Sequence, residues 1–465
     1  MEVRLAGWKL NIGRRRKEDP ARGGKSAPSG VVKPLIRETQ RVGAIEKNSL
    51  PRFQATASDQ VTGRGGDRLA ATRAKLRHAF TPSQPVADRR MFAGREEVLQ
   101  TIIRSIEDQR LHTVLYGERG IGKTSLLHML SQAGVEARYI VVYSSCGANS
   151  TFDETFRAAA ADIPLLFHSS YAPTTAEAER GSSLADLLPS GPLTPKKFGD
   201  LCAKLVGTRV LIILDEFDRC ESGAFRRDIA ELIKNLSDRL IRVQLVLAGV
   251  AADLTELVEH IPSIRRNIFA LRVPKMTDQE VLQIISNGER EANLIFDRAA
   301  GAFVVSVAQG SPYIASLLCH HAGRAALDVG RNTVVASDVA SAIGSAADEF
   351  RGRIAKPAQA QIKRLFDSGQ GEAMALAARA ALAASGAFAM SDVQAAGEVT
   401  AVKAQRLIDQ LIADRLLMVV EEGGEKRYEF AEDGLPTFLW ISWAQQSLRP
   451  EETKAEPERP RQAAS

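Results

Sequence analysis

The apolar positions of the chain change their spacing in a regular order. Over Glu97–Asp108 they fall at Val98, Leu99, Ile102, Ile103 and Ile106, the spacing of an amphipathic helix. Short apolar runs of strand length then alternate with helix-spaced segments. Leu111–Tyr116, Ala137–Tyr143, Arg209–Leu214, Arg242–Leu247 and Phe269–Val273 read as strands, and Lys123–Gln132, Phe152–Ala161 and Phe225–Leu236 as helices. Parallel strands need a crossover, usually a helix, so the alternation predicts an α/β core: a parallel sheet between two helical layers. Residues 163–197, rich in Ser, Pro, Gly and Thr, interrupt it and read as a loop insertion.

From Thr277 to Ile343 the pattern is helical only, which predicts a small helical lid packed on the sheet. Farther on, Ala373–Ala384, Ser391–Ala396 and Val402–Asp414 read as helices, and Leu416–Glu421 and Lys426–Phe430 as strands joined by a turn at Gly423-Gly424. Three helices and a hairpin make the α+β pattern of a winged helix. Residues 1–66 show no sustained apolar period, and Arg68–Phe80 reads as a short helix. The expected divisions are a basic, largely disordered arm (1–90), an α/β core (91–275), a lid (276–350), a winged-helix-like domain (351–447) and a disordered tail (448–465).

Composition adds three constraints. Over 465 residues, 45% hydrophobic and 25% charged, the chain is long enough for several buried cores and ordinary for a globular protein. The cysteines, Cys146, Cys202, Cys220 and Cys319, are scattered without a CxxC pair, so neither a disulfide framework nor a zinc cluster is suggested. No window reaches the roughly 18 apolar residues of a membrane span, and no apolar run follows the charged N-terminus, so a cytoplasmic protein is expected. The net charge of +5 conceals an asymmetry: residues 1–90 hold 20 Lys and Arg against 8 Asp and Glu.

The candidate chemistry sits between the first strand and its helix, in Gly117-Glu118-Arg119-Gly120-Ile121-Gly122-Lys123-Thr124, with Ser125 following. Gly117, Gly120 and Gly122 let backbone N–H groups close on phosphates, Lys123 adds charge for β/γ oxygens, and the Thr124 hydroxyl suits Mg²⁺. The strand Val210–Leu214 ends in Asp215-Glu216-Phe217-Asp218, at the sheet edge where α/β folds bind ligands. Asp215 is expected to hold Mg²⁺, and Glu216 to orient and deprotonate the attacking water. Asp218 fits a turn cap as well as a functional role. Arg265 and Arg266, just before the last strand, are candidates for the positive charge that phosphoryl transfer draws on.

With these residues the chain resembles an AAA+ P-loop ATPase of the origin-recognition initiator-like and STAND-related type, over about residues 91–345 and more weakly to 447. Phe92-Ala93-Gly94-Arg95-Glu96 matches the family's Gly-Arg-Glu box near the adenine, and Gly310-Ser311-Pro312-Tyr313 its lid motif. The resemblance implies ATP binding, with Phe92, Pro312 and Tyr313 as base-contact candidates. It departs at Ala248-Gly249-Val250, which has no polar sensor residue, and at Gly310–Tyr313, which lacks an arginine.

Two functions follow from different classes. In the first, an ATP-driven switch controls assembly with a protein partner or with further copies of the chain. In the second, the chain is a DNA-binding initiator-like or transposition-helper-like ATPase, non-specific DNA affinity coming from the basic arm. Residues 371–447 carry 6 Lys and Arg against 11 Asp and Glu, and the wing reads Glu421-Glu422-Gly423-Gly424-Glu425. An acidic wing repels a duplex, which favours the first.

Overall fold

The computed structural model describes residues 2–5, 8–11, 68–171, 181–251, 262–384, 386–397, 400–422, 425–432 and 434–447. The expectations for the rest of the arm, for Gly423-Gly424 and for the tail fall outside these residues. In chain order the elements are strands β1 (Glu2–Leu5) and β2 (Trp8–Asn11), helix α1 (Arg68–Ala79) and helix α2 (Glu96–Glu107). The core continues with β3 (His112–Gly117), α3 (Lys123–Glu136), β4 (Ile140–Ser145), α4 (Phe152–Ala161), α5 (Pro195–Cys202), β5 (Val210–Asp215), α6 (Gly223–Asp238), β6 (Val243–Val250) and β7 (Ile268–Arg272). The C-terminal half holds α7 (Asp278–Ala292), β8 (Ile295–Phe296), α8 (Arg298–Ala308), α9 (Pro312–Asp328), β9 (Thr333–Val334) and α10 (Ala336–Arg351). It ends with α11 (Lys356–Asp367), α12 (Gly371–Ala384), α13 (Met390–Ala396), α14 (Ala401–Ala413), β10 (Leu417–Glu422), β11 (Glu425–Phe430) and α15 (Leu435–Ser447).

The five predicted core strands form one parallel sheet in the order β4-β5-β6-β3-β7. Successive side chains of a strand point to opposite faces, so each buried strand feeds two cores. Ile212 and Leu214 pack with α4, α5 and α6 on one face, while Leu211 and Ile213 pack with α2 and α3 on the other. The register brings Gly117 opposite Val250 and Ser145 opposite Asp215, which sets four strand ends at one edge of the sheet.

Three segments differ from expectation. The 163–197 insertion is packed structure where it is described: Leu165, Leu184 and Leu193 are buried in the α4–α6 core, and Arg157 binds the carbonyls of Pro189 and Gly191. Thr194 caps α5 and Pro195 opens it, a start signal at the very end of a Pro- and Gly-rich stretch. In the arm, β1 and β2 pair antiparallel; the alternation of Val3 and Leu5 with charged residues is too short to register as a sustained period. The arm's helix α1 belongs to the C-terminal half, since Leu76, Ala79 and Phe80 are buried against α7 and α9. Two glycines make this possible. A methyl group at Gly288 would overlap the Phe80 ring, and one at Gly323 would lie 2.7 Å from Leu76 Cδ1.

Lid and C-terminal helices share a single continuous core running from Leu76 to Ala444. α15, at the end of the expected winged-helix-like domain and assigned no element from the sequence, is apolar on most sides and lies buried, with Trp440 Nε1 donating to the Val307 carbonyl of α8 at 2.9 Å. Its core joins α12, α13 and α14 and the β10–β11 hairpin to the lid.

Candidate functional site

The loop from Gly117 to Gly122 leaves the buried strand β3 and enters α3 through residues that only glycine supplies cheaply. Gly120 has φ +76° and Gly122, the residue before α3, φ +97°. A side chain at Gly120 would meet Tyr313 Cβ at 3.2 Å, and one at Gly117 the Val273 carbonyl at the same distance. The loop is therefore clamped between the last core strand and the start of α9. The helix N-terminus directs free N–H groups into the loop, an arrangement suited to anions.

Lys123 Nζ donates to the carbonyls of Gly117 at 2.7 Å and Glu118 at 2.8 Å. It is 8% exposed, and burial pulls its pKa down to about 8 against the opposing pull of Asp218, Asp215 and Glu118. Glu118 also pairs with Lys275 at 3.5 Å. The side chain of Ser125, expected in the loop, instead accepts from the Val86 amide at 3.0 Å. Arg119 and Ile121 complete the loop, Ile121 buried in the α2–α3 core.

The Thr124 hydroxyl donates to Asp215 Oδ2 at 2.8 Å, which joins the loop to the end of β5. Asp215 Oδ2 also accepts from the Tyr143 hydroxyl at 2.7 Å, and Oδ1 from the Glu216 amide at 2.8 Å. Burial and the Asp215 carboxylate both raise the Tyr143 pKa, so it stays a donor. A hydroxyl beside a carboxylate, all oxygen, is the donor set that a hard divalent cation such as Mg²⁺ takes. Glu216 follows at φ +53°, with Oε2 accepting from Arg219 Nη1 at 2.7 Å and Ser145 Oγ at 3.0 Å. The Arg219 hydrogen bond holds this carboxyl below its ordinary pKa, so it is ionised and able to act as a base. Asp218 accepts from the Val250 amide at 2.8 Å, a brace between the ends of β5 and β6.

The lid motif arrives at the loop. Pro312 Cγ is 3.6 Å from where a Gly122 side chain would begin, so Pro312 and Tyr313 rest on the phosphate loop itself. The Arg353 guanidinium lies 5.8 Å from the Tyr313 ring centroid, which brings an arginine from beyond α10 to the lid motif. Phe92 is half-buried beside the α2–α3 core, its carbonyl receiving Asn287 Nδ2 at 3.4 Å. Arg265 and Arg266 are exposed in the short turn before β7, and among the described residues neither bonds to the loop. Cys146, behind the site, is buried with its thiol pushed up to about 12 by desolvation, which makes it inert.

Sequence reasoning missed Tyr143, Ser145, Arg219 and Lys275. Tyr143 and Ser145 were findable, because they end the strand next to β5 at the sheet edge where ligands bind.

Among solved structures the fold is similar to the Orc1 protein of Aeropyrum pernix, solved in complex with DNA. That match has 16% identity and TM-score 0.43, and covers 79% of this chain and 95% of that one. A Walker-type ATPase of Pyrococcus abyssi matches at 16% identity and TM-score 0.44, covering 77% and 98%. The RuvB Holliday junction branch migration motor of Thermotoga maritima matches at 16% and 0.39, covering 73% and 93%. No curated protein matches the chain. The family model of novel STAND NTPase 1 matches residues 79–438, from the end of α1 through the lid and into α15. A match over that share of the chain makes the protein a member of the novel STAND NTPase 1 family.

Proposed function

We propose that the chain binds ATP with Mg²⁺ at residues 117–125, hydrolyses it, and uses the nucleotide state to control assembly with a protein partner or with further copies of itself. The observation that carries the hydrolytic part is the join of Thr124 to Asp215 with the ionised Glu216 next in the chain. Gly117–Gly122 present backbone N–H groups to the phosphates, and Lys123 exchanges its carbonyl partners for β/γ oxygens. Thr124 and Asp215 hold the cation, which supplies charge neutralisation when bound. Glu216 orients water and takes its proton once it leaves Arg219 and Ser145. Phe92, Pro312 and Tyr313 wall the nucleotide.

The switch rests on how the lid is built. α9 begins on the phosphate loop and its far side lies in the core shared with α12–α15, so a shift at Pro312 and Tyr313 moves a whole packed unit. The C-terminal helices and hairpin serve as a protein-contacting winged helix, as the acidic wing favours.

Glu216→Gln is expected to abolish phosphate release while ATP affinity is kept, and Lys123→Ala to lose binding. Turnover that persists in Glu216→Gln would sink the catalytic assignment. A second reading, DNA binding, is favoured by the basic arm. Because α1 is part of the packed unit, the chain to test lacks residues 1–67. Sequence-selective DNA binding that survives this deletion would displace the protein-partner reading.

A further inference from the structure

Away from the P-loop, residues of α1 and α9 line an open cleft of about 550 Å³: Arg73, Leu76, Arg77, His320, Arg324 and Asp328. We propose that this cleft is a second ligand site, one that takes a phosphorylated small molecule. Three guanidinium groups converge on it and a single carboxylate opposes them. Asp328 pairs with Arg73 at 3.0 Å and reaches Arg324 only at 3.9 Å. Among the described residues the Arg77 side chain makes no hydrogen bond or ion pair, and it is exposed. Like charges gathered in a concavity repel unless an anion joins them, and the guanidinium fork matches phosphate oxygens in pairs.

The arrangement is built into the packing. Leu76 sits in the slot left by Gly323, which draws α1 close enough for Arg73 and Arg77 to face Arg324. His320 is tied through Nδ1 to the Phe80 carbonyl at 3.1 Å, fixing one wall. The cleft has the size of small-ligand pockets, which run to roughly 300–1,000 Å³. The three arginines line one concavity, while the nearby carboxylates Asp348 and Glu349 are already paired, with Arg351 at 2.6 Å and with His321 at 2.7 Å. A nucleic-acid backbone needs a positive track, whereas a compact anion needs one concave cluster.

The test titrates inorganic pyrophosphate calorimetrically into the full-length chain carrying Lys123→Ala, which removes the P-loop as a competing phosphate site. Saturable binding is expected. Adding Arg77→Ala or Arg324→Ala should weaken it roughly tenfold, the loss of one charge-assisted hydrogen bond. Asp328→Asn, which withdraws the opposing carboxylate, should tighten it several-fold, a gain that no folding defect can mimic. No saturable binding up to about 10 mM, or equal affinities in all these variants, overturns the site. Binding of a short DNA duplex that Arg77→Ala removes and pyrophosphate does not displace overturns the small-molecule assignment. None of these results bears on the hydrolytic reading of the P-loop.

Discussion

Glu216 is the residue on which the proposed chemistry turns, and its carboxylate is held by Arg219 and Ser145. The Arg219 pair is well exposed, 60% and 46%, so its contribution to stability is about 0–1 kcal/mol, and its effect belongs to reactivity. In Arg219→Ala the carboxyl loses its nearest cation and its pKa rises. Glu216 is then protonated at higher pH, so the acid limb of the pH–rate profile should move up, by an amount that steady-state assays across pH 4–7 read directly. An unmoved limb would show that Arg219 does not set the base. Lys123 titrates on the other side. Its pKa of about 8 in the free chain means that above this pH Lys123 loses its charge, so ATP affinity should fall with rising pH. Because guanidinium stays charged, Lys123→Arg should lack that fall; calorimetric titrations on both sides of pH 8 test it. The motif residues themselves were readable from spacing. Tyr143 and Ser145 could be found only through their place at the end of the strand whose register brings them to Asp215 and Glu216, and Arg219, three residues after Glu216, gave no signal because arginines are common.

Among the elements, α1 shows how a segment with a polar, basic sequence can be structural. Four of its twelve residues are Arg or Lys, and its apolar stripe is short, so the sequence assigns it to the arm. Its anchors are Leu76 and Phe80, 2% and 1% exposed, seated against glycines of α9 and α7. Gly323→Ala should force Leu76 to shift, at a cost of about 1–3 kcal/mol. Phe80→Ala should empty its slot, at about 3–5 kcal/mol. Denaturant unfolding of the full-length variants measures both, and a change within about 0.5 kcal/mol for Phe80→Ala would mean that α1 is not part of the folded unit. The five strands were legible as short apolar runs, and Leu211–Leu214, buried throughout, could hardly be anything else. α15 was not, since an almost wholly apolar helix has no periodic face to display.

For the whole molecule the question is what the lid reports, and to what. Among the described residues no helix is long and apolar enough to cross a membrane. Arg265 and Arg266 stand exposed before β7 and do not reach their own chain's loop, the placement expected of groups offered to a neighbouring copy. Particle mass measured with and without ATP should therefore rise with nucleotide, and Arg265→Ala or Arg266→Ala should reduce turnover of the assembled form alone. A constant monomer mass would demote both arginines to surface residues. The sequence by itself determined the α/β alternation, the phosphate loop and its acidic strand end, because burial period and glycine conformation are local properties of the chain. Tertiary structure alone decided that α1 joins the lid, that lid and C-terminal helices share one core, and that Pro312 rests on the phosphate loop. These depend on which surfaces meet across long stretches of chain, as Leu76 meets Gly323 and Trp440 meets Val307, and residue spacing carries no record of such pairs.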